Sequence, residues 1–302
     1  MTARILMAGL ALTGLAFSQT KSQPGVEVQM IVTVADHINH NPAPLTAGDL
    51  KVMDATITEM KPFERGHDLD VYILIDDAAN YDFGSKLKEL REFVTTQPPA
   101  ESIGVAYIHD GTLQIAEKPT TDHARAAAAL RVPAGSKAAN PYCALSDLMQ
   151  RWPGKSRHAV VLISTGLDDA VAEGVFCVNA QTAIRDAERS GTIIFALYNP
   201  LSNYQSEKWS KVDSGVVDLA HVSYESGGEA YFLGHTPLDS IVPFLDDIAE
   251  HLDHQYLVKL RMAPGPTGEF RSVFMSPSVA PDHMLMKPES IWVPGVADLK
   301  EH

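Results

Sequence analysis

Two carboxylates end an apolar run. In VYILIDDAAN, residues 71–80, Asp76 and Asp77 follow a stretch of five apolar or aromatic side chains. A strand that stops at acidic residues is one way to present oxygen ligands to a hard divalent cation. A second acidic pair closes another apolar run in HAVVLISTGLDD, where Thr165 precedes Asp168 and Asp169. The residues between such carboxylates decide what they can hold. Ala78 has no donor atom, and Asn80 offers only an amide oxygen. Without hydroxyl ligands among them, the favoured reading of these carboxylates is a solvated acidic rim, Asp77, Asp168 and Asp169, with no metal and no cofactor. The alternative is an irregular oxygen cluster of Asp76, Asp77, Asp82, Asp168 and Asp169 of the kind Ca²⁺ accepts, with Asp76, Asn80 and Asp168 as the ligand set for Ca²⁺ or Mg²⁺.

Other chemistry is thinly represented. No GxSxG elbow and no glycine-rich phosphate loop occurs, and Ser146 and Ser164 lack an evident His–Asp partner. The expectation is therefore a protein that is not an enzyme. His251 and His254 stand three residues apart near the end of a helical stretch. There the helix dipole favours a cation, which accounts for both without a metal. Asn203, Tyr204 and Trp209 lie in a polar-aromatic loop following Asn199–Pro200, a composition suited to protein contact.

The chain has 302 residues, a formal charge of −14, 45% hydrophobic and 21% charged residues. Its first 18 residues read as a signal peptide: Arg4, an apolar run from Ile5 to Phe17, and small residues Ala16 and Ser18 before a cleavage site that leaves Gln19. The run is shorter than the ~20 residues that span a bilayer, so export to a periplasmic or extracellular space is expected. Without those residues 23 basic side chains face 38 acidic ones, a formal −15. Such a surface repels phosphate backbones and disfavours nucleic acid as a partner. Protein partners, or further copies of the chain, remain. The two cysteines, Cys143 and Cys177, are an even number in an exported chain, which suggests a disulfide, with two separate thiols as the alternative. Neither sits in a CxxC pair, which disfavours zinc held by cysteine.

The elements that must position these residues fall into three stretches. Residues 19–66 alternate in VEVQMIVTV and DLKVMDATITEM and read as a β-rich segment. Residues 67–253 alternate strands with helices. LDVYILI, IGVAYIH, HAVVLIS and TIIFALY are near-continuous apolar runs, as in the buried strands of a parallel sheet. TLQIAEK follows its predecessor so closely that it reads as an antiparallel edge strand. Phe83, Leu87, Leu90 and Val94 define one helix face. Thr121 is placed to cap the helix DHARAAAALR, and Ala144–Trp152, NAQTAIRDAERS, 213–225 and 237–252 supply further helices. GEAYFLG, 228–234, reads as a last strand. Residues 254–302 return to β-texture, with QYLVKLRM and FRSVFMS read as a hairpin across APGPTGE, and MLMKPESIWV as a later strand packing with residues 19–66. The expected fold class is α/β: a doubly wound, mostly parallel sheet of Rossmann-like type with a small β-rich domain formed by both chain ends.

In order and texture the stretches VYILIDDAAN, GKSRHAVVLISTGLDD, AERSGTIIFALYNP, SYESGGEAYF and LDDIAEHLDHQYLVKLRMAPGP resemble the von Willebrand factor type A (VWA) domain. More narrowly, the chain resembles the VWA-related proteins that bacteria export. The resemblance covers about Val26 to Phe274. It implies a loop surface that binds protein, ordinarily through a metal-ion-dependent adhesion site: Asp-x-Ser-x-Ser after the first strand, a later Thr, and an Asp at a further strand end. Asp76 matches the first Asp. Ala78 and Asn80 stand where the two Ser belong, Cys143 where the Thr belongs, and Thr165 where the last Asp belongs. The resemblance thus implies a degenerate metal site. It also places Cys143 and Cys177 on loops at one end of the sheet, where a Cys143–Cys177 disulfide holds the loops a metal would otherwise organise. The function implied is that of an exported, non-enzymatic, adhesion-type binding module. A structural subunit of an extracellular or envelope assembly is the second reading, and an atypical divalent-metal adhesion domain the third.

Overall fold

The computed structural model describes residues 25–36, 42–79, 81–136, 139–152, 157–168, 177–199, 209–232, 239–278 and 284–298. In chain order the strands and helices are β1 (Val26–Ala35), β2 (Leu50–Val52), β3 (Thr56–Pro62), β4 (Leu69–Asp76), α1 (Leu87–Thr96), β5 (Ser102–His109), β6 (Thr112–Thr120), α2 (His123–Ala128), α3 (Pro141–Arg151) and β7 (Arg157–Ser164). They continue as α4 (Ala180–Ser190), β8 (Thr192–Tyr198), α5 (Trp209–Glu225), β9 (Ala230–Phe232), α6 (Val242–Asp253), β10 (Gln255–Met262), β11 (Glu269–Ser272), β12 (Met275–Pro277), β13 (Met284–Met286) and β14 (Ser290–Val293).

A six-stranded sheet in the order β6-β5-β4-β7-β8-β9 forms the centre. All its pairings are parallel except β5 with β6, the edge hairpin. The apolar runs are continuous because both faces of these strands are covered. Val71, Ile73 and Ile75 of β4 face a layer made by α1, α2 and α6, whereas Tyr72 and Leu74 face α3, α4 and α5. Phe83, Leu87, Leu90 and Val94 are all buried, as their spacing requires. The first of them sits in a 3-10 turn over Tyr81–Lys86 that leads into α1. The α2 cap is Asp122, whose carboxylate accepts from the Arg125 amide, rather than the expected Thr121. A carboxylate one residue closer completes the same geometry and also complements the helix dipole. Helix α4 ends as expected at Gly191, which takes φ 70°.

Strands from both ends of the chain pair with one another. The order β13-β1-β10-β3 makes an antiparallel sheet that encloses a second core with Val273, Ile291 and Val293. The expected hairpin between QYLVKLRM and FRSVFMS does not form. Strand β10 is held between β1 and β3, β11 pairs with β14, and β12 pairs with β2. The intervening APGPTGE carries the chain away because both edges of β10 are already occupied by more distant strands. Strand β1 serves both cores: Val28, Met30, Val32 and Val34 face the small one, while Ile31 and Ala35 face the large one. The buried Glu188 of α4 accepts hydrogen bonds from the Ser290 amide and hydroxyl, tying β14 to the large layer. Among the described residues no helix is long and apolar enough to cross a membrane.

Candidate functional site

Parallel strands bring their carboxyl ends to one rim of the sheet, the usual crevice of such folds. Asp76 at the end of β4 and Ser164 at the end of β7 meet there because β4 and β7 are neighbours in register. Asp76 is fully buried. Its Oδ2 accepts from the Ser164 hydroxyl at 2.7 Å and its Oδ1 from the Ala78 amide at 2.9 Å. Burial pushes this carboxyl up to about 6; the two hydrogen bonds pull it back in part, and the adjacent Asp77 charge adds to the rise.

Asp77 is not on a solvated rim, contrary to the sequence expectation: its side chain is 0% exposed. Arg131 grips it with a fork, Nη1 to Oδ1 at 2.7 Å and Nη2 to Oδ2 at 2.9 Å. The Ala134 amide donates to Oδ1 at 2.9 Å, and His109 Nδ1 lies 3.1 Å from Oδ2. Burial, the strongest single influence, raises this carboxyl; the Arg131 fork, the Ala134 amide and His109 together outweigh it and hold Asp77 below the usual range. Arg131 is itself positioned: its amide donates to the Tyr107 hydroxyl at 2.7 Å, and its guanidinium lies 3.7 Å from the centre of the Tyr107 ring.

The β7 loop is equally closed. Ser164 Oγ accepts from the Gly166 amide, and the Tyr142 hydroxyl donates to the Gly166 carbonyl at 2.8 Å. Gly166 has φ 70°, and a Cβ there would lie 2.1 Å from the Gly215 carbonyl of α5, so the loop and helix touch backbone to backbone. Thr165 is buried, and its hydroxyl accepts from the Leu167 amide. Asp168 Oδ1 accepts from Asn140 Nδ2 at 3.1 Å. Asn140 is fully buried and caps α3 through its Oδ1, which accepts from the Cys143 amide. Cys143 and Cys177 form a disulfide with Cα atoms 5.8 Å apart and a sequence separation of 34.

Of the five positions that the resemblance assigns to a degenerate metal site, Asp76 and Thr165 turn inward to backbone and hydroxyl partners, Ala78 gives only its amide, and Cys143 is bonded to Cys177. The fifth, Asn80, lies outside the described residues, as do Asp169, Asn203, Tyr204 and the side chains of Asp82 and Trp209. Among the described residues, Asp76, Asp77 and Asp168 do not bring their ligand atoms together as a group of three. The one cluster of three ligating groups among them is elsewhere: Glu229, Asp247 and His251. By sequence His251 reads as a helix-end residue; in the fold it is 3% exposed and lies between two carboxylates. Arg131 and Asn140 are likewise site residues that the sequence did not single out. The Asn-Pro pair at 140–141 is a legible cap signal, but nothing in the spacing of Arg131 points to Asp77.

No family model matches the chain, and no curated protein matches it. Solved structures similar to it include a von Willebrand factor type A protein from Catenulispora acidiphila, at 10% identity over 93% of this chain and 76% of that one, with a TM-score of 0.46. The ArnB paralog VWA2 from Sulfolobus acidocaldarius is similar at 10% identity over 90% and 77%, with a TM-score of 0.41. The vWF domain of the type V pili tip protein Mfa5 from Porphyromonas gingivalis is similar at 11% identity over 60% and 94%, with a TM-score of 0.43.

Proposed function

We propose that the chain is an exported, non-enzymatic binding module whose carboxyl-end loops work as a metal-free platform for a protein partner. The observation that carries this is the inward satisfaction of the rim. The carboxylates that would hold an ion are engaged by Ser164, Ala78 and Arg131, and the position that would supply a threonine hydroxyl is a cystine. An ion entering between them would have to displace the bidentate Arg131 guanidinium from the buried Asp77 carboxylate, which costs about 2 kcal/mol. The partner then meets a loop surface fixed by a covalent link rather than one completed by its own carboxylate on a shared Mg²⁺.

The test is the protein immobilised on a surface and exposed to proteins of the compartment it inhabits, in EDTA and in millimolar Mg²⁺ or Ca²⁺. Retention of a partner in EDTA, lost in the Cys143→Ser/Cys177→Ser variant, supports the reading. Retention that demands Mg²⁺ or Ca²⁺ overturns it in favour of metal-dependent adhesion. Sedimentation velocity over a range of concentrations addresses the structural-subunit reading, which requires the pure protein to self-associate.

A further inference from the structure

At the β9 edge of the sheet, Glu229 immediately precedes β9 and lies level with the middle of β8, and Asp247 and His251 stand four residues apart on one face of α6. One ligand atom from each lies within 4.8 Å of the other two. His251 Nε2 is 3.9 Å from Glu229 Oε2, and His251 Nδ1 is 3.8 Å from Asp247 Oδ2. The imidazole is 4% exposed and stacks on the buried Phe195 ring, with centroids 6.0 Å apart and planes 10° from parallel. The two carboxylates are 32% and 24% exposed, so the cluster has a dry wall and an open side. The Tyr231 hydroxyl donates to Asp247 Oδ2 at 2.6 Å.

We infer that Glu229, Asp247 and His251 form a binding site for a divalent transition ion of the Zn²⁺ class. An imidazole with two carboxylates is a donor set that Zn²⁺, Co²⁺ and Mn²⁺ accept, whereas Ca²⁺ and Mg²⁺ prefer oxygen alone. Donors about 2.1 Å from a tetrahedral ion lie roughly 3.4 Å apart. An imidazole gives one nitrogen to one ion, and with one ligand atom from each residue the three donors lie within 4.8 Å of one another, so they must draw in by up to about 1.4 Å. That movement falls to the longer, more exposed Glu229 side chain. The Phe195 stack orients the ring, and the Tyr231 hydroxyl holds the Asp247 carboxylate from outside, the supporting role that orients metal ligands. Three protein ligands leave a position toward solvent for water or for a donor from a second molecule. The site does not depend on the loop platform proposed above: it is built on the β9 edge and α6 and shares no residue with Asp76, Asp77 or Ser164.

The experiment uses the whole exported chain, stripped with EDTA and dialysed, then titrated with ZnCl₂ by calorimetry and with CoCl₂ by visible absorption. One ion per chain with the d–d bands of a low-coordinate Co²⁺ is expected, unaffected by millimolar Mg²⁺ or Ca²⁺. Glu229→Gln and Asp247→Asn, at partly exposed positions that tolerate an isosteric amide, should each weaken Zn²⁺ binding at least about tenfold, with unchanged far-UV circular dichroism. Asp76→Asn, at the end of β4 and outside the cluster, should leave it unchanged. Undiminished binding in both amide variants would place the ion on other histidines and overturn the assignment. So would the absence of any stoichiometric binding, since a protonated His251 between two carboxylates would then account for the cluster.

Discussion

Asp76 is a fully buried carboxylate with no side-chain cation against it among the described residues, and its replacement by asparagine tests the description of that rim. The folded chain holds this acid at about 6, against 3.8 for an ordinary aspartate. A group bound more tightly by protons in the folded state stabilises it most when protonated. Its contribution is therefore complete below 3.8, declines as pH rises from about 4 to 6, and is lost above 6. At roughly 1.4 kcal/mol per tenfold, ionised Asp76 costs the folded chain about 3 kcal/mol at neutral pH. Asparagine has the same shape and no charge. Its Oδ1 can still accept from the Ala78 amide, and its Nδ2 can donate to Ser164 Oγ. Asp76→Asn should then be the more stable protein at pH 7.5, by up to about 3 kcal/mol, or several degrees in melting temperature. The assay is urea unfolding of both proteins from pH 4 to 8, because the difference between them removes every other titrating group. The gap should open between pH 4 and 6 and stay level above. A variant less stable at pH 7.5 than the native chain, or a gap that does not change with pH, would refute the reasoning. Either result would mean that the carboxylate is compensated by a cation.

Arg131→Gln leaves the buried Asp77 with only the Ala134 amide and His109. Since Arg131 is 41% exposed and water can enter its place, a loss of about 2 kcal/mol is expected. Because Asp77 is held below its ordinary range, its stabilisation exists above that range and is lost as pH falls through the folded value; acid unfolding of the variant should begin at higher pH. Reduction of Cys143–Cys177, or the double serine variant, reopens a loop of sequence separation 34 and should lower stability by about 3–4 kcal/mol, read as a lower denaturant midpoint with and without reductant. Gly166→Ala forces a methyl onto the Gly215 carbonyl at a positive φ, and thermal melting should show a loss of at least about 2 kcal/mol.

Much of the architecture is written in local pattern. Runs such as LDVYILI and TIIFALY are apolar at almost every position because each face of the strand is covered, and that requirement is visible without knowing what covers it. The failed hairpin at APGPTGE shows the limit. A turn-rich stretch between two β-like segments looks the same whether the segments pair with each other or with distant strands. Here β10 had its partners in β1 and β3, about two hundred residues away in the chain.

At the rim, residue identity alone settled which side-chain oxygen donors exist: Ala78 and Cys143 carry none. Whether Asp76 and Asp77 face water or protein depended on which distant groups reach them. Arg131 comes from 54 positions away and Ser164 from 88. The same holds for His251, which reads as a helix-end residue in one dimension. In three dimensions it is pressed on Phe195, with Glu229 brought to it by the β8–β9 pairing. Side-chain chemistry and hydrophobic period are properties of single residues and their neighbours, and they are legible in the linear chain. Charge state, burial and ligand grouping arise from contacts between segments far apart in that chain, and they exist only once it has folded.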